Sequence, residues 1–412
     1  MPDHLASDHY AVISADGHAG ADIHAYRAYL DPAWHDEFDA WAASFVNPYG
    51  DRLLSERPDC NWDSDLRTSQ LEADGIVAEV LFPNTVPPFY PQTQFFVPPP
   101  PSDRREYQRR WAGLRAHNRW LADFCDLLPG RRAGVAQIML NDVDDAVEEI
   151  RWVADQPGLF GGILLPGVPP GSALPSLWSA VYDPIWEACA SLGVPVNHHA
   201  GGGIPEYGDD DLGRTMLHTE VAWFVHRALW HLTYAGVFER YPDLAFVITE
   251  AGAGWAAATV RQMDATTDRY RLDGSSANFF GGNTAGKLPK QPSEYFATNV
   301  YLGASFLHRT EAELAGDIGV DRIMWGSDFP HVEGSYPYSR EALRATFAGM
   351  PEPDVRAMIS ENAAQVYGFD LARLAGLADV VGPTVAEIAT PLDRYPDSWC
   401  NAFARRPTYA DA

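Results

Sequence analysis

The sequence has few basic residues for its length. Its 30 lysine and arginine residues stand against 56 acidic ones, which gives a formal net charge of −26 at pH 7. Such a chain repels nucleic-acid phosphates and anionic membrane surfaces unless a basic patch intervenes. The arginines at 104–105 and 109–110 are interrupted by acidic and polar residues, as is typical of a solvated helix face. We therefore predict neither a nucleic acid nor a membrane as a partner.

Cysteine is also scarce, and long apolar runs do not occur. The 4 cysteines lie far apart and form no CxxC pair, so neither a zinc ribbon nor a dithiol redox motif is indicated. No apolar stretch reaches the roughly 18 residues of a membrane span. The N-terminus lacks the basic start and apolar core of a signal peptide. From these features we expect reduced thiols and a cytoplasmic protein.

The chain is long enough for a large core and alternates between two kinds of segment. Of its 412 residues, 46% are hydrophobic and 12% aromatic. Short β-branched runs are followed by segments with helical spacing, which is the alternation of βα units in a parallel sheet. The predicted strands are 11–15, 77–82, 132–139, 161–165, 194–198, 244–249, 300–304 and 323–326. The predicted helices are 69–74, 103–127, 143–156, 178–192, 220–238, 254–270, 310–316, and 340–348 with 353–368.

Eight strands in this alternation predict an α/β fold of the (β/α)8 TIM-barrel type. An open doubly wound sheet fits less well, because no G-x-G-x-x-G fingerprint follows the first strand. We predict one barrel domain over residues 1–375, with insertions at 19–67 and 83–101, and a C-terminal extension over 376–412. Both insertions follow strands at their carboxyl ends, so they either form pocket walls and lids or pack on the rim.

Residues able to bind a metal stand at the ends of four apolar runs. Asp16 and His18 follow the first run, one of His198 and His199 ends the fifth, Glu250 follows the sixth, and Asp328 ends the eighth. A barrel gathers the carboxyl ends of its strands at one face, so these side chains are expected to meet there. Strand alternation alone does not choose between His198 and His199.

The ordered motifs resemble the amidohydrolase-related family, the branch of the amidohydrolase superfamily that contains aminocarboxymuconate semialdehyde decarboxylase. The likeness spans roughly residues 10 to 370. It is carried by Ala15-Asp16-Gly17-His18, His199 with its trailing glycines, Tyr241-Pro242-Asp243-Leu244 leading to Glu250-Ala251-Gly252, Trp325-Gly326-Ser327-Asp328-Phe329-Pro330-His331, and Glu361-Asn362-Ala363-Ala364 before Tyr367-Gly368.

The resemblance implies a metal-dependent barrel and a ligand set. Asp16 and His18 match the first-strand pair, His199 the fifth-strand ligand and Asp328 the eighth-strand aspartate. Decarboxylase members place a histidine on the sixth strand, where this chain has Glu250. Glutamate can bind a metal or act as a base, although it cannot act as a cationic acid. We expect a divalent metal, zinc by default with iron or manganese as alternatives, in one or two ions.

A second set of residues has two interpretations each. They could bind a second ion or the substrate, or they could serve the structure alone; the set is His331, Glu333, Glu79, His198 and His226. Glu79, for example, is either a ligand or a buried acid paired with an arginine. By position only, Arg67, Asn84, Arg309 and Trp255 are candidate pocket residues.

We predict a hydrolase that acts on a small amide, ester or lactone. A bound ion would lower the pKa of a water molecule, and Asp328 would take its proton and pass it to the leaving group. Glu250 would be a further ligand or would orient the water. The alternatives are a non-oxidative decarboxylase, a binuclear iron oxygenase, and a non-catalytic partner subunit. A homo-oligomer, or pairing with a homologous subunit, is expected.

Overall fold

The protein folds around eight parallel strands that follow one another in sequence order. The computed structural model describes residues 7–46, 58–84, 86–91, 99–208, 210–272 and 282–405. The strands, each hydrogen-bonded to the next, are β1 (Val12–Ala19), β2 (Ile76–Pro83), β3 (Arg132–Gln137), β4 (Gly162–Leu164), β5 (Val196–His199), β6 (Phe246–Thr249), β7 (Val300–Ser305) and β8 (Ile323–Gly326). The predicted (β/α)8 barrel is confirmed. Parts of both insertions (47–57, 85 and 92–98) and the end of the tail (406–412) lie outside the described residues.

Hydrogen bonds between β1 and the segment after β8 close the barrel. The Asp328 amide donates to the Asp16 carbonyl oxygen at 2.9 Å, and the His18 amide donates to the Phe329 carbonyl oxygen at 2.7 Å. The backbones that carry three of the predicted ligands are therefore joined directly, although more than three hundred residues separate them in sequence.

Helices pack around the barrel and differ from the predicted ones mainly at their starts. The observed helices are α1 (His35–Ser44), α2 (Ser64–Ala73), α3 (Arg104–Asp126), α4 (Val143–Ala154), α5 (Asp183–Leu192), α6 (Asp211–Tyr234), α7 (Val237–Arg240), α8 (Trp255–Arg271), α9 (Thr284–Lys287), α10 (Pro292–Asn299), α11 (Arg309–Ala312), α12 (Ala315–Ile318), α13 (Ser339–Phe347), α14 (Glu352–Arg356), α15 (Asn362–Tyr367), α16 (Leu371–Val381) and α17 (Val385–Ile388). None of the helices within the described ranges is both long and apolar enough to cross a membrane.

Two of the differences have a local cause in the sequence. The prediction for α5 began too early, because Pro184 lies in its first turn, where the missing amide costs nothing. Helix α6 starts nine residues before the predicted 220, because the Asp210 side chain caps it by accepting from the Gly213 amide. The single predicted helix at 310–316 is wrong, since the chain forms two short helices, α11 and α12, there.

Helices α15 and α16 close the end of the barrel opposite the predicted ligands. The Tyr367 hydroxyl donates to Asn197 Oδ1 at 2.8 Å, and both side chains are buried. Leu374 and Ala378 of α16 belong to the apolar cluster that includes Ile13 of β1. Helix α16 runs through position 375, so residues on both sides of the predicted domain boundary pack against the barrel. A separate extension after 375 stays a prediction.

A buried carboxyl links the loop before β2 to the start of α13 and makes stability depend on pH. Both Asp74 oxygens accept from the Ser339 amide, at 3.1 and 3.2 Å, and the residue is 5% exposed. Burial raises the pKa of Asp74 from 3.8 to about 6, although the Ser339 hydrogen bonds lower it. The folded state therefore binds the extra proton between about pH 4 and pH 6, and it loses stability as pH rises through that range.

We expect Asp74→Asn to remove this dependence, because asparagine keeps an oxygen for Ser339 and cannot ionise. The free energy of unfolding of the variant, relative to the wild type, should increase by up to about 3 kcal/mol between pH 4 and pH 7. Urea unfolding of both proteins at pH 4, 5.5 and 7 measures the difference. A difference that stays constant over this range would show that Asp74 ionises as freely in the folded as in the unfolded chain.

Candidate metal centre

Three of the predicted ligands meet at the carboxyl ends of β1 and β5. Asp16 Oδ1 lies 3.4 Å from His18 Nε2 and 3.3 Å from His199 Nε2. The ligand atoms of the three side chains all lie within 4.8 Å of one another, and Asp16 is fully buried. One carboxylate oxygen and two imidazole nitrogens at this spacing form a donor set suited to a divalent cation.

An irregularity in β1 accompanies the position of Asp16. Ser14 pairs with Glu79 and Gly17 pairs with Leu81, so β1 advances by three residues while β2 advances by two. The extra residue is typical of a β-bulge, which re-aims side chains next to active sites. Asp16 lies inside this interval, within a strand that is longer than the predicted 11–15.

The two histidines at the end of β5 have different roles in the structure. His199 turns Nε2 toward Asp16, and its Nδ1 lies 3.0 Å from the Ala200 carbonyl oxygen. His198 turns away, with Nδ1 2.9 Å from the Leu165 carbonyl oxygen. Burial lowers the pKa of His198 to about 4, so this side chain is a neutral histidine of the barrel wall.

Asp328 joins the group from β8 and keeps one oxygen free of hydrogen bonds. Its Oδ1 lies 3.1 Å from His18 Nε2 and 2.8 Å from His331 Nδ1, whereas the fully buried Oδ2 has no hydrogen-bond partner. Asp328 and Glu250 have φ angles of 57° and 55°, in the left-handed region that costs non-glycine residues energy. A buried carboxylate oxygen without a donor fits a cation in this place.

The charges in the group act on one another. Burial alone would raise the pKa of Asp16, but the His199 and His18 imidazoles hold it far below its usual range. Burial likewise opposes ionisation of Asp328, yet His331 and His18 lower its pKa. For Glu250, burial and then the charges of Asp328 and Asp16 all raise the pKa. The site thus favours ionised Asp16 and Asp328 beside a glutamate that retains its proton more readily.

A second group adjoins the first and is linked to it by the contact between Asp328 and His18. The ligand atoms of Glu250, Asp328, His331 and Glu333 lie within 4.8 Å of one another. His331 Nε2 donates to Asn84 Oδ1 at 3.0 Å, and Asn84 Nδ2 donates to Asn61 Oδ1. These hydrogen bonds hold the His331 ring with Nδ1 turned toward Asp328. A metal-binding histidine is oriented by an outer partner in the same way.

Glu79 and Arg67 lie outside both groups and form a buried ion pair. Arg67 Nε and Nη2 donate to the two Glu79 oxygens at 2.8 and 2.6 Å, and Arg132 Nε lies 3.6 Å from the same carboxylate. Of the two interpretations of Glu79, the structure thus places it as the buried acid paired with arginine. Arg67 Nη1 also donates to the His18 carbonyl oxygen at 2.8 Å, so the pair supports the β1 end of the site.

The remaining predicted residues are not brought into the two groups. His226 Nε2 lies 3.2 Å from the carbonyl oxygen of Ala251, next to Glu250, and its ring stacks on Trp255 with centroids 3.7 Å apart. Burial lowers the pKa of His226 to about 4. Arg309 pairs with Glu313 and donates to the Ala348 carbonyl oxygen, which ties it to an outer helix instead of a pocket.

Sequence reasoning missed two side chains that hold the site. The Ser305 hydroxyl at the end of β7 donates to Asp16 Oδ2. The fully buried Glu311 carboxylate accepts from the Ala253 and Gly254 amides at 2.8 and 3.1 Å, which fixes the turn after Glu250. A polar residue at the end of the buried seventh strand was the one available signal for Ser305, and Glu311 gave none.

Residues 93–369 match the family model described as Amidohydrolase, which is more than half of the chain. The chain belongs to the amidohydrolase family. A gamma-resorcylate decarboxylase from Rhodococcus jostii (strain RHA1) is 25% identical over 266 residues, which cover 62% of this chain and 76% of that protein.

Solved structures of other proteins share the fold. An amidohydrolase from Mycobacterium avium subsp. paratuberculosis K-10 superimposes with a TM-score of 0.65 at 21% identity, covering 88% of this chain and 99% of that one. A 5-carboxyvanillate decarboxylase from Novosphingobium aromaticivorans DSM 12444, complexed with manganese and 4-hydroxy-3-methoxy-5-nitrobenzoic acid, gives a TM-score of 0.64 at 18% identity, covering 88% and 97%. The family match over residues 93–369 shows the family, and the structural likeness shows the barrel fold.

Proposed function

We propose that this amidohydrolase-family protein is a metal-dependent, non-oxidative decarboxylase of a small aromatic carboxylic acid. The observation that carries the proposal is a pair of ligand groups that share His18, namely Asp16–His18–His199 and His18–Asp328–His331, together with the unpartnered buried Oδ2 of Asp328. Relatives from sequence and structure comparisons are decarboxylases of gamma-resorcylate and 5-carboxyvanillate. Hydrolysis, which the sequence pattern favours, becomes the second candidate.

Manganese is the first metal to test. The residues that would hold a divalent ion are Asp16, His18, His199 and Asp328, and mixed carboxylate and imidazole donors accept manganese as well as zinc. The 5-carboxyvanillate decarboxylase and a dihydroxybenzoic acid decarboxylase from Polaromonas sp. JS666 were both solved with manganese. When bound, such an ion would orient the oxygens of the substrate and offset negative charge that develops on them.

The protein's own residues must supply a proton to carbon. In the reaction the bond between the ring carbon and the carboxylate breaks, carbon dioxide leaves, and the electron pair stays on the carbon until a proton arrives. The Glu250 side chain is 19% exposed, whereas that of Asp328 is fully buried. Of these two carboxyl groups, only Glu250 is reached by solvent, and we assign proton delivery to it.

The test is a direct assay of carbon dioxide. Protein stripped with EDTA and reloaded with Mn²⁺ is incubated with 2,6-dihydroxybenzoate, 5-carboxyvanillate and related hydroxybenzoates labelled with carbon-13 in the carboxylate. We expect labelled carbon dioxide only in the presence of metal. In D₂O, the product should carry one deuterium on the ring carbon from which the carboxylate left. If no acid in the panel releases carbon dioxide, and esters, amides or lactones are converted to acids, the reaction is hydrolysis and the proposed decarboxylation is wrong.

Two observations favour testing the other candidate functions as well. Asp328 adjoins His18 at the ion position, where a base for an attacking water would stand, which favours hydrolysis as the second candidate. The second group of Glu250, Asp328, His331 and Glu333 favours a binuclear centre and with it an iron oxygenase. Elemental analysis gives the number of ions per chain, and oxygen consumption by iron-loaded protein identifies an oxygenase.

A further inference from the structure

The Asp16 carboxylate is divided between two kinds of partner. Its Oδ1 faces His18 Nε2 and His199 Nε2, while its Oδ2 accepts a hydrogen bond from the Ser305 hydroxyl. Asp16 is fully buried and Ser305 is 1% exposed, so water does not replace either contact. Ser305 is the last residue of β7 and pairs with Gly326 of β8, directly beside the strand that carries Asp16.

This hydroxyl fixes the rotation of the carboxylate. A carboxylate group turns easily about its terminal bond, because the terminal torsion has broad minima. A buried oxygen that loses its donor pays the full cost of desolvation, about 1–3 kcal/mol or more for a charged group. The backbone leaves Asp16 little room to move away, since a Cβ on Gly326 would lie 2.7 Å from the Asp16 Cβ. Ser305 therefore keeps Oδ2 occupied and Oδ1 turned to the histidines.

We propose that Ser305 is a positioning residue that sets the divalent-cation affinity of the site by holding Asp16. The inference rests on the metal centre under the proposed function. Partners of metal ligands affect affinity because a ligand held in the binding geometry loses less freedom when the ion arrives. Ser305 touches neither histidine in the hydrogen bonds of the structure, so its effect passes through Asp16 alone.

The experiment measures Mn²⁺ binding to the EDTA-stripped full chain by titration calorimetry. In Ser305→Ala the dissociation constant for Mn²⁺ should rise about 10–100-fold. Ser305→Thr, which retains the hydroxyl, should recover most of the affinity. If Ser305 serves only to pack β7, Ser305→Ala should instead bind Mn²⁺ as tightly as the wild type.

Ser360→Ala is the matched control. Ser360 is 2% exposed, and its hydroxyl donates to the Ala11 carbonyl oxygen at 2.8 Å, just before the opposite end of β1. This variant loses a partly buried hydrogen bond to the segment that leads into β1, so its thermal stability should fall while its Mn²⁺ affinity stays unchanged. A loss of affinity common to both serine variants would mean that general loosening of β1, and not the position of Asp16, is responsible.

Two results overturn the inference and differ from each other. Wild-type affinity in Ser305→Ala removes the role of Ser305 and leaves the metal centre standing. A wild-type protein that binds no Mn²⁺ removes the metal centre itself. Should the alanine variant fail to fold, Ser305→Cys takes its place with the same expectation of weaker binding, because a thiol is a weak donor.

Discussion

Asp328→Asn lowers kcat/KM by roughly 100-fold or more, because the proposed ion loses a charged ligand, while the barrel remains folded. The substitution keeps the shape of the side chain and removes its charge. In the wild-type protein, Asp328 Oδ1 lies 3.1 Å from His18 Nε2 and 2.8 Å from His331 Nδ1. Asparagine offers one oxygen for both contacts, and its amide group adds two hydrogens where a cation would otherwise approach.

The loss is expected for each enzymatic reaction under consideration. In decarboxylation and in hydrolysis alike, Asp328 belongs to the group that would hold the ion, and its buried Oδ2 has no other partner. The prediction therefore tests the site independently of the substrate class. It fails for a non-catalytic partner subunit, which has no turnover to lose.

Steady-state kinetics of Mn²⁺-loaded wild type and variant measure the effect, and circular dichroism checks the fold. Asp317→Asn is the matched control, because Asp317 is an exposed aspartate in α12 near the opposite end of β8. We expect wild-type kinetics from the control. Activity of Asp328→Asn within a few fold of wild type would remove Asp328 from the chemistry.

The convergence of the ligands was predictable from sequence because the barrel fixes it. Parallel strands place their carboxyl ends at one face, so Asp16, His199 and Asp328 had to approach one another once the strands were assigned. The strand assignments were accurate to a few residues, since short β-branched runs between helices are strong signals. Helix starts were less predictable because they depend on single capping side chains such as Asp210.

Partners that act across strands were not predictable. The Ser305 hydroxyl reaches Asp16 from a strand 289 residues away in sequence, and a lone serine carries no pattern. Glu79 could be a ligand or an ion-pair partner, and only the approach of Arg67 from α2 decides between them. Alternation along β5 does not distinguish His198 from His199. The contact of His198 with the Leu165 carbonyl oxygen, which the sequence does not reveal, distinguishes them in the structure.

Glu79→Ala lowers the free energy of unfolding by about 3–5 kcal/mol, a large part of the roughly 5–15 kcal/mol that stabilises a typical protein. Glu79 is 3% exposed, and the guanidinium groups of Arg67 and Arg132, at 0% and 2%, both lie against it. Alanine leaves these two cations in the interior without a counter-charge. Burial already lowers the pKa of Arg132 to about 10 with the glutamate present, which shows how costly its charge is there.

Urea unfolding of Glu79→Ala is compared with that of Glu72→Ala. Glu72 pairs with Arg131 at 2.7 Å, but their side chains are 29% and 21% exposed. Water solvates both groups after the pair is broken, so we expect a loss of at most about 1 kcal/mol. Similar losses in the two variants would mean that solvent reaches Arg67 and Arg132 as easily as it reaches Arg131. A large loss confined to Glu79→Ala would instead identify its carboxylate as the counter-charge of the two buried guanidinium groups.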